Sequence, residues 1–396
     1  MYDIVIVGGG LAGLSVALQL APKYEHIIVL EKYGTLGGRA LTQYKPIQYE
    51  IGAGRVHKSH HRVTALVKKY KLHTYPISTE SNYEDGPNEF TKMFYPIVQQ
   101  LKQLPNTILR THTIRELLPP ALYPLLEQYP YRAELELLRA DIALSAFAPT
   151  AEMGTTKPDD FYGVQEGYSK IAEHLADEVR AAGVQIKTHY KVLDIKRIKD
   201  ELFEITGKDK SPIQARKVII ATCRCSLSNF QVLKGLPLLK QLQTSPLCRI
   251  YAVYPVGPTG PWFATLPKTV TADPLRYIIP INPKTGLIMI SYTDGKDAEL
   301  WRHMDDDQTK ERIQKEVRRQ FPNLAIPEPT YLKKHFWPAG CTYWTAGEYD
   351  LKEAQKAAMF PSPNLYIVGE SVSKHQAWME SALETVELLL ASPDAP

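Results

Sequence analysis

Three glycines at the end of a short apolar run constrain this chain more than any other feature. Tyr2-Asp3-Ile4-Val5-Ile6-Val7 is rich in β-branched residues and ends in Gly8-Gly9-Gly10-Leu11-Ala12-Gly13, after which Leu14, Ala17, Leu18 and Leu20 recur at helical spacing. The pattern predicts strand, tight turn and helix, and a second apolar run over 27–30 closes the unit at Glu31. In such a unit Gly8 turns the chain, Gly10 lets the backbone approach a pyrophosphate, and Gly13 lets the helix pack on the strand. The phosphate then rests on the helix N-terminus, where free N–H groups favour an anion. Glu31 lies 18 residues past Gly13, which puts a carboxylate at the end of the second strand to accept a ribose hydroxyl. The expectation is a dinucleotide site rather than a purely structural βαβ unit.

Gly37-Gly38-Arg39 follows, and the guanidinium fork of Arg39 can reach the same pyrophosphate. With these residues the N-terminus resembles that of flavoproteins of the amine oxidase superfamily, in which the dinucleotide is FAD. The stretch Gly52-Ala53-Gly54-Arg55, the helix after Gly167, the apolar run 218–222 and the block ending in Gly369-Glu370 follow the order of that family over nearly the whole chain. The resemblance implies an α/β fold: a Rossmann-like FAD-binding domain of the GR2 type with a mixed α+β substrate domain inserted discontinuously. The FAD-binding pieces are expected at 1–71, 159–248 and 332–396. A proline-, tyrosine- and leucine-rich stretch, 72–158, reads as a helical insertion with helical pieces near 96–104 and 133–147. The segment 249–331, with strand signals and an amphipathic helix over 307–321, reads as the sheet of the substrate domain.

Carried over residue by residue, the family's FAD contacts fall on Gly8, Gly10, Gly13, Glu31, Arg39, Val192, Gly369 and Glu370, with the Trp378-Met379 backbone beside the flavin ring. The implied activity takes hydride from the α-carbon of a neutral amine to flavin N5; the imine hydrolyses, and O2 reoxidises the flavin to give hydrogen peroxide. Trp378 and the pair Tyr343-Trp344 match the family's aromatic cage, a buried core tryptophan being the alternative. Arg249 stands where the family commonly has a lysine bridged by water to N5. Cys341 stands where monoamine oxidases carry a cysteine bonded to the flavin, but the residues around it differ from theirs, so non-covalent FAD is expected, with a covalent link through Cys341 as the alternative. Arg55 matches the arginine with which L-amino acid oxidases clamp a substrate carboxylate, a supporting role for FAD or a helix cap being the other reading.

Composition excludes several classes. The 396 residues suffice for two domains, and a net charge of +4 with basic residues spread along the chain gives no footprint for nucleic acid or a membrane surface. No apolar run reaches the ~18–20 residues of a membrane-spanning helix. The first strand begins at residue two, so no leader peptide is expected. Cys223, Cys225, Cys248 and Cys341 lack the paired spacings of a zinc site or a disulfide framework, which points to a reducing cytoplasm. Cys223-Arg224-Cys225 reads as two small residues beside a buried strand rather than a redox pair, and His57, His60 and His61 as a solvated helix start rather than metal ligands. The expected partners are a small amine or amino acid and O2; the oligomeric state is left open, a homodimer among the options. Two other classes share the end motifs: a flavin desaturase or isomerase of an isoprenoid or porphyrin-like substrate, and an FAD-binding protein that has lost turnover.

Overall fold

Ile4, Val5 and Ile6 are wholly buried because the strand that carries them lies inside a sheet covered on both faces. The computed structural model describes residues 1–78, 81–83, 86–87, 89–129, 131–146, 160–199, 201–271 and 274–396. The chain forms two units. One comprises Met1–Ile77, Asp159–Gln243 and Tyr349–Pro396, the other Ser78–Pro158 and Thr244–Glu348.

In the first unit the sheet runs Gln185–Lys187, Ile27–Leu30, Tyr2–Val7, Ile213–Ile220, Leu202–Gly207, Val192–Lys199. The first four strands are mutually parallel, and the last two form an antiparallel meander. Leu365–Ile367, from near the chain's end, joins in parallel on Ile213–Ile220. Parallel strands must be continuously apolar because both faces are covered, which is why IIVL and VII carry no alternation. The covering helices present Leu14, Val16, Ala17 and Leu20 from Leu11–Leu20, and Ile171, Leu175 and Val179 from Ser169–Ala181. A small sheet of Val56–His57, Phe161–Val164 and Thr74–Ile77 completes the unit.

The second unit is built on a sheet ordered Tyr331–Trp344, Leu242–Val253, Leu287–Asp294, Tyr277–Asn282, Thr269–Val270, Asn82–Tyr83, Gly86–Pro87. Cys248, Ile250 and Ala252 alternate into a core with Ile288, Ile290, Trp301, Ile313 and Val317. The amphipathic helix begins at Asp306, where the Asp305 side chain accepts from Gln308 N–H in a capping box, and ends at Gln320.

Three expected boundaries move, the first at residues 244–248, which belong to the second unit with most of strand Leu242–Val253. Residues 332–348 belong to the second unit, because Tyr331–Trp344 is a strand beside Leu242–Val253; residues 72–77 belong to the first, because Thr74–Ile77 pairs with Phe161–Val164. The helical piece at 133–147 is two helices, Arg132–Glu136 and Ala140–Ala146. It breaks where Arg139 N–H turns to Trp344 O (3.0 Å) and Ala140 N–H to His112 O (2.8 Å); Phe147 lies outside the described residues.

Asp294 ends its strand with 7% exposure and accepts Ala133 N–H on Oδ2 (3.1 Å), while its Oδ1 has no hydrogen-bond partner among the described residues. Burial pushes this carboxyl up to about 7, with Glu134 and Asp297 adding and Ala133 N–H and Arg276 opposing. Below its ordinary value near 3.8 the group is protonated folded or unfolded; between there and about 7 the folded state holds a proton that the unfolded chain releases. Stability is therefore lost as pH rises through that window, at up to about 1.4 kcal/mol per pH unit from this group. Urea unfolding at pH 5 and pH 8 is expected to show Asp294→Asn, which keeps the acceptor for Ala133, removing roughly 2 to 3 kcal/mol of the wild-type loss. Parallel pH slopes in the two proteins would refute this.

Candidate active site

The glycine turn has the shape its spacing predicts. Gly8 has φ +115°, and a Cβ there would lie 2.5 Å from Ala221 O; a Cβ on Gly13 would lie 2.0 Å from Gly8 O. By contrast, the nearest atom to a Cβ on Gly10 is Gly37 O at 3.9 Å, so the turn is packed tightly from behind and open at Gly10, as a cradle for a ligand requires. Gly37 N–H donates to Gly9 O (2.8 Å), bringing the Gly-Gly-Arg stretch against the turn. Glu31 is buried, and its carboxylate accepts from Gly9 N–H (2.8 Å) and Tyr33 N–H (2.9 Å). Through Gly9 N–H, Glu31 holds the turn in shape. The role of Gly9 was not legible in the sequence.

Arg39 Nη2 donates to Glu370 Oε2 at 2.7 Å, and Glu370 Oε1 accepts Ala377 N–H at 3.0 Å. Gly369 has φ +113° and gives its N–H to Thr385 Oγ1 (2.7 Å) on the C-terminal helix Met379–Leu390. Gly52 is needed for close approach, since a Cβ there would lie 1.8 Å from Arg39 O. Val192 starts the edge strand, with two strands between it and Tyr2–Val7; the chain just before it returns to Glu31 through Tyr190 N–H to Glu31 O (2.8 Å). The buried Thr222 Oγ1, beside Gly8, has no hydrogen-bond partner among the described residues. An open Gly10, an orphan hydroxyl and a guanidinium fit an anionic dinucleotide.

A second group in the same unit surrounds Arg55. Its guanidinium lies 4.5 Å from the Phe161 ring centre and 5.7 Å from that of Trp378, the two rings being stacked at 6.1 Å. His60 meets Trp378 edge-on at 4.8 Å and His57 meets Phe161 at 4.8 Å. His57 and His60 are thus packed against aromatic rings, correcting the expectation of a solvated helix start; only His61 is exposed. Burial lowers the His60 imidazole to about 4, so it is neutral at physiological pH. Among the described residues no cluster of His, Cys, Asp or Glu could hold a metal. Glu380, one residue after Met379, accepts Arg62 and Val63 N–H groups and caps helix His61–Lys69.

In the second unit Arg249 is buried opposite Tyr292 in the strand register, with its guanidinium 4.8 Å from that ring. Burial works against the charge, but Tyr251, Tyr292 and Tyr131 more than offset it, so the arginine pKa is raised. Tyr343 is 4% exposed; its phenol is pushed well up, by burial first and then by Cys341, Glu134 and Asp294. Cys341 also acts on Tyr292, so Arg249, Tyr292, Cys341 and Tyr343 share one neighbourhood of the sheet. Trp344 is fully enclosed and its carbonyl accepts Arg139 N–H, the behaviour of a core tryptophan.

These features define a dinucleotide-binding oxidoreductase fold, its nucleotide unit assembled from three pieces of chain. The family model for flavin containing amine oxidoreductase matches residues 11–152 and 144–385, and the chain belongs to that family, whose cofactor is FAD. Amine oxidase (flavin-containing) A of Equus caballus is 36% identical over 80 residues, covering 20% of this chain but only 15% of that protein. The L-amino-acid oxidase of Crotalus adamanteus is 22% identical over 444 residues, covering 96% of this chain and 85% of that one. Among solved structures, cyclohexylamine oxidase from Brevibacterium oxydans IH-35A superposes with a TM-score of 0.76 at 15% identity, over 98% of this chain and 97% of that one, a likeness of fold.

Purified protein is expected to be yellow, with one FAD per chain. Arg39→Ala leaves the Glu370 carboxylate, 6% exposed, without its guanidinium. A loss of about 1.5 to 3 kcal/mol, roughly tenfold to 100-fold in FAD affinity, is expected in a flavin fluorescence titration. Unchanged affinity would remove Arg39 from the cofactor site.

Proposed function

We propose that this chain is an FAD-dependent oxidase of a primary or secondary amine or an amino acid, cytoplasmic, with O2 as electron acceptor. The observation that supports it most is the Arg39–Glu370 pair, which joins the glycine turn to the helix that Trp378 opens. No helix among the described residues is long and apolar enough to cross a membrane. Bound FAD supplies a hydride acceptor at N5 and returns the electrons to O2 as hydrogen peroxide.

The protein's share is binding, orientation and exclusion of water. Gly8, Gly10, Gly13, Glu31, Arg39, Val192, Gly369, Glu370 and Met379 would hold the cofactor. The free N–H groups at the start of helix Met379–Leu390 would favour negative charge beside them. A substrate amine must be neutral to release hydride, and the side chains assigned here suit that need. His60 is neutral, and the Tyr292 and Tyr343 phenols are held protonated, so neither removes nor delivers a proton near neutral pH. In the first unit Trp378 would offer the amine an aromatic wall; in the second, Tyr343 is the position that the family resemblance singles out. Arg249 would stand in the lysine's place; it keeps its proton, so it positions water and does not exchange protons. Cys341 sits beside Tyr343 as the candidate for a covalent flavin bond. Acid precipitation is expected to leave the flavin in the supernatant; flavin retained on a Cys341 peptide would establish the bond instead.

Arg55 would clamp a carboxylate, its two rings shielding the pair from water. Peroxide release on amino acids and their decarboxylated amines tests the whole reading. For Arg55→Ala, kcat/KM on an amino acid is expected to fall by about 2 to 5 kcal/mol, roughly 30-fold to several thousand-fold, and to change little on the matching amine. Equal losses on both at full flavin occupancy would rule out the clamp, and no peroxide from any substrate would rule out the oxidase.

A further inference from the structure

Cys223 and Cys225 are joined by a disulfide across one residue, with Cα atoms 5.5 Å apart. This corrects the expectation of two unlinked small residues. The bridge lies just past strand Ile213–Ile220, at the end of the sheet where the cofactor turn lies. Ala221, two residues before the bridge, is the residue whose carbonyl a Gly8 Cβ would strike and whose own Cβ lies 3.3 Å from where a Gly13 Cβ would be. Arg224, enclosed by the bridge, is anchored on both sides. Its backbone N–H donates to Ser371 Oγ (3.0 Å), and its guanidinium donates to Leu242 O (3.0 Å), to Ser228 Oγ (2.6 Å) and to Leu239 O. Ser371 adjoins Glu370, the partner of Arg39, and its carbonyl accepts from Gln376 Nε2 (3.0 Å). A continuous set of contacts thus runs from the bridge to both sides of the cradle.

We propose that Cys223–Cys225 is a thiol–disulfide exchange site for dithiol reductants, and that its state sets how tightly the cradle holds FAD. The proposal rests on the cofactor reading of the glycine turn. Cys225 is exposed and Cys223 is half-buried, so an external thiolate reaches Cys225 Sγ first. That attack breaks the Cys223–Cys225 bond and forms a mixed disulfide on Cys225. Cys223 leaves as a thiolate, 3.8 Å from Ser226 Oγ, and takes a proton from solvent. The reagent's second thiolate then attacks its own sulfur in the mixed disulfide, releasing Cys225, which is protonated, and leaving the reagent as a cyclic disulfide. Two electrons pass from dithiol to protein. With the bridge open, 223–225 regain backbone freedom, and ordering Arg224 N–H against Ser371 is charged to cofactor binding. The oxidised form is the tight one.

The experiment equilibrates the FAD-loaded protein in buffers of set reduced-to-oxidised dithiothreitol ratio. Peptide mass spectrometry after alkylation reads the Cys223–Cys225 state, and a fluorescence titration reads FAD affinity. Opening the pair is expected to weaken FAD binding about tenfold, reversibly. Cys225→Ser is expected to bind at the weak level and ignore the dithiol. Ser371→Ala, which keeps both sulfurs, is expected to exchange normally yet bind at the weaker level in both states. Equal affinity in the two states overturns the proposal, as do a pair that is alkylated before any reductant is added, one that dithiothreitol does not open, and a dithiol response that survives in Cys225→Ser. Protein that takes up no FAD in any state overturns the cofactor reading and the exchange site with it.

Discussion

The nucleotide unit depends on one steric fact: the first helix can sit on the first strand only because Gly13 has no side chain to meet the Gly8 carbonyl, 2.0 Å from where a Cβ would be. That approach brings the helix N-terminus up to the turn, and Glu31 then holds the turn through Gly9 N–H, its other carboxylate oxygen being taken by Tyr33 N–H. A methyl group at Gly13 would push helix from strand and spoil both together, since close-packed interiors give little. The open side at Gly10 has meaning only because the opposite side is this tight.

Charge is organised around the same turn. Arg39 and Glu370 are 331 residues apart in sequence yet 2.7 Å apart in space, with Glu370 at 6% exposure and Arg39 at 30%. A buried carboxylate is tolerated when paired and hydrogen-bonded, and Glu370 has both a guanidinium and Ala377 N–H. Arg55 is placed differently, against the ring faces of Phe161 and Trp378, which attract a cation. The two arginines therefore have different surroundings, one a buried carboxylate and the other a pair of aromatic rings.

The second unit repeats the theme with phenols. Arg249 keeps its charge at 8% exposure because Tyr251, Tyr292 and Tyr131 face it. The strand alternation that buries Cys248, Ile250 and Ala252 in the core puts Arg249 and Tyr251 together on the other face. Asp294, on the strand that also carries Tyr292, has no comparable compensation and gives up its charge instead. Two buried ionisable groups on neighbouring strands thus resolve burial in opposite ways, one by pairing and one by protonation.

The sequence by itself determined the βαβ unit, the tight turn and close packing at Gly8 and Gly13, the place of the helix after Asp305, and the family, because local spacing and backbone need dictate these within a few turns of chain. It also marked Arg39 and Glu370 singly, but not as a pair. Tertiary structure alone decided that Tyr331–Trp344 joins the second unit's sheet, that a helical pattern at 133–147 breaks at Arg139, and that His57 and His60 pack on Phe161 and Trp378. In each case the deciding partner is distant in sequence: Trp344 for Arg139, Trp378 for His60, Leu242–Val253 for the late strand. Propensity and periodicity report what a segment prefers alone, whereas these outcomes follow from hydrogen bonds and buried surface that exist only once remote segments have met.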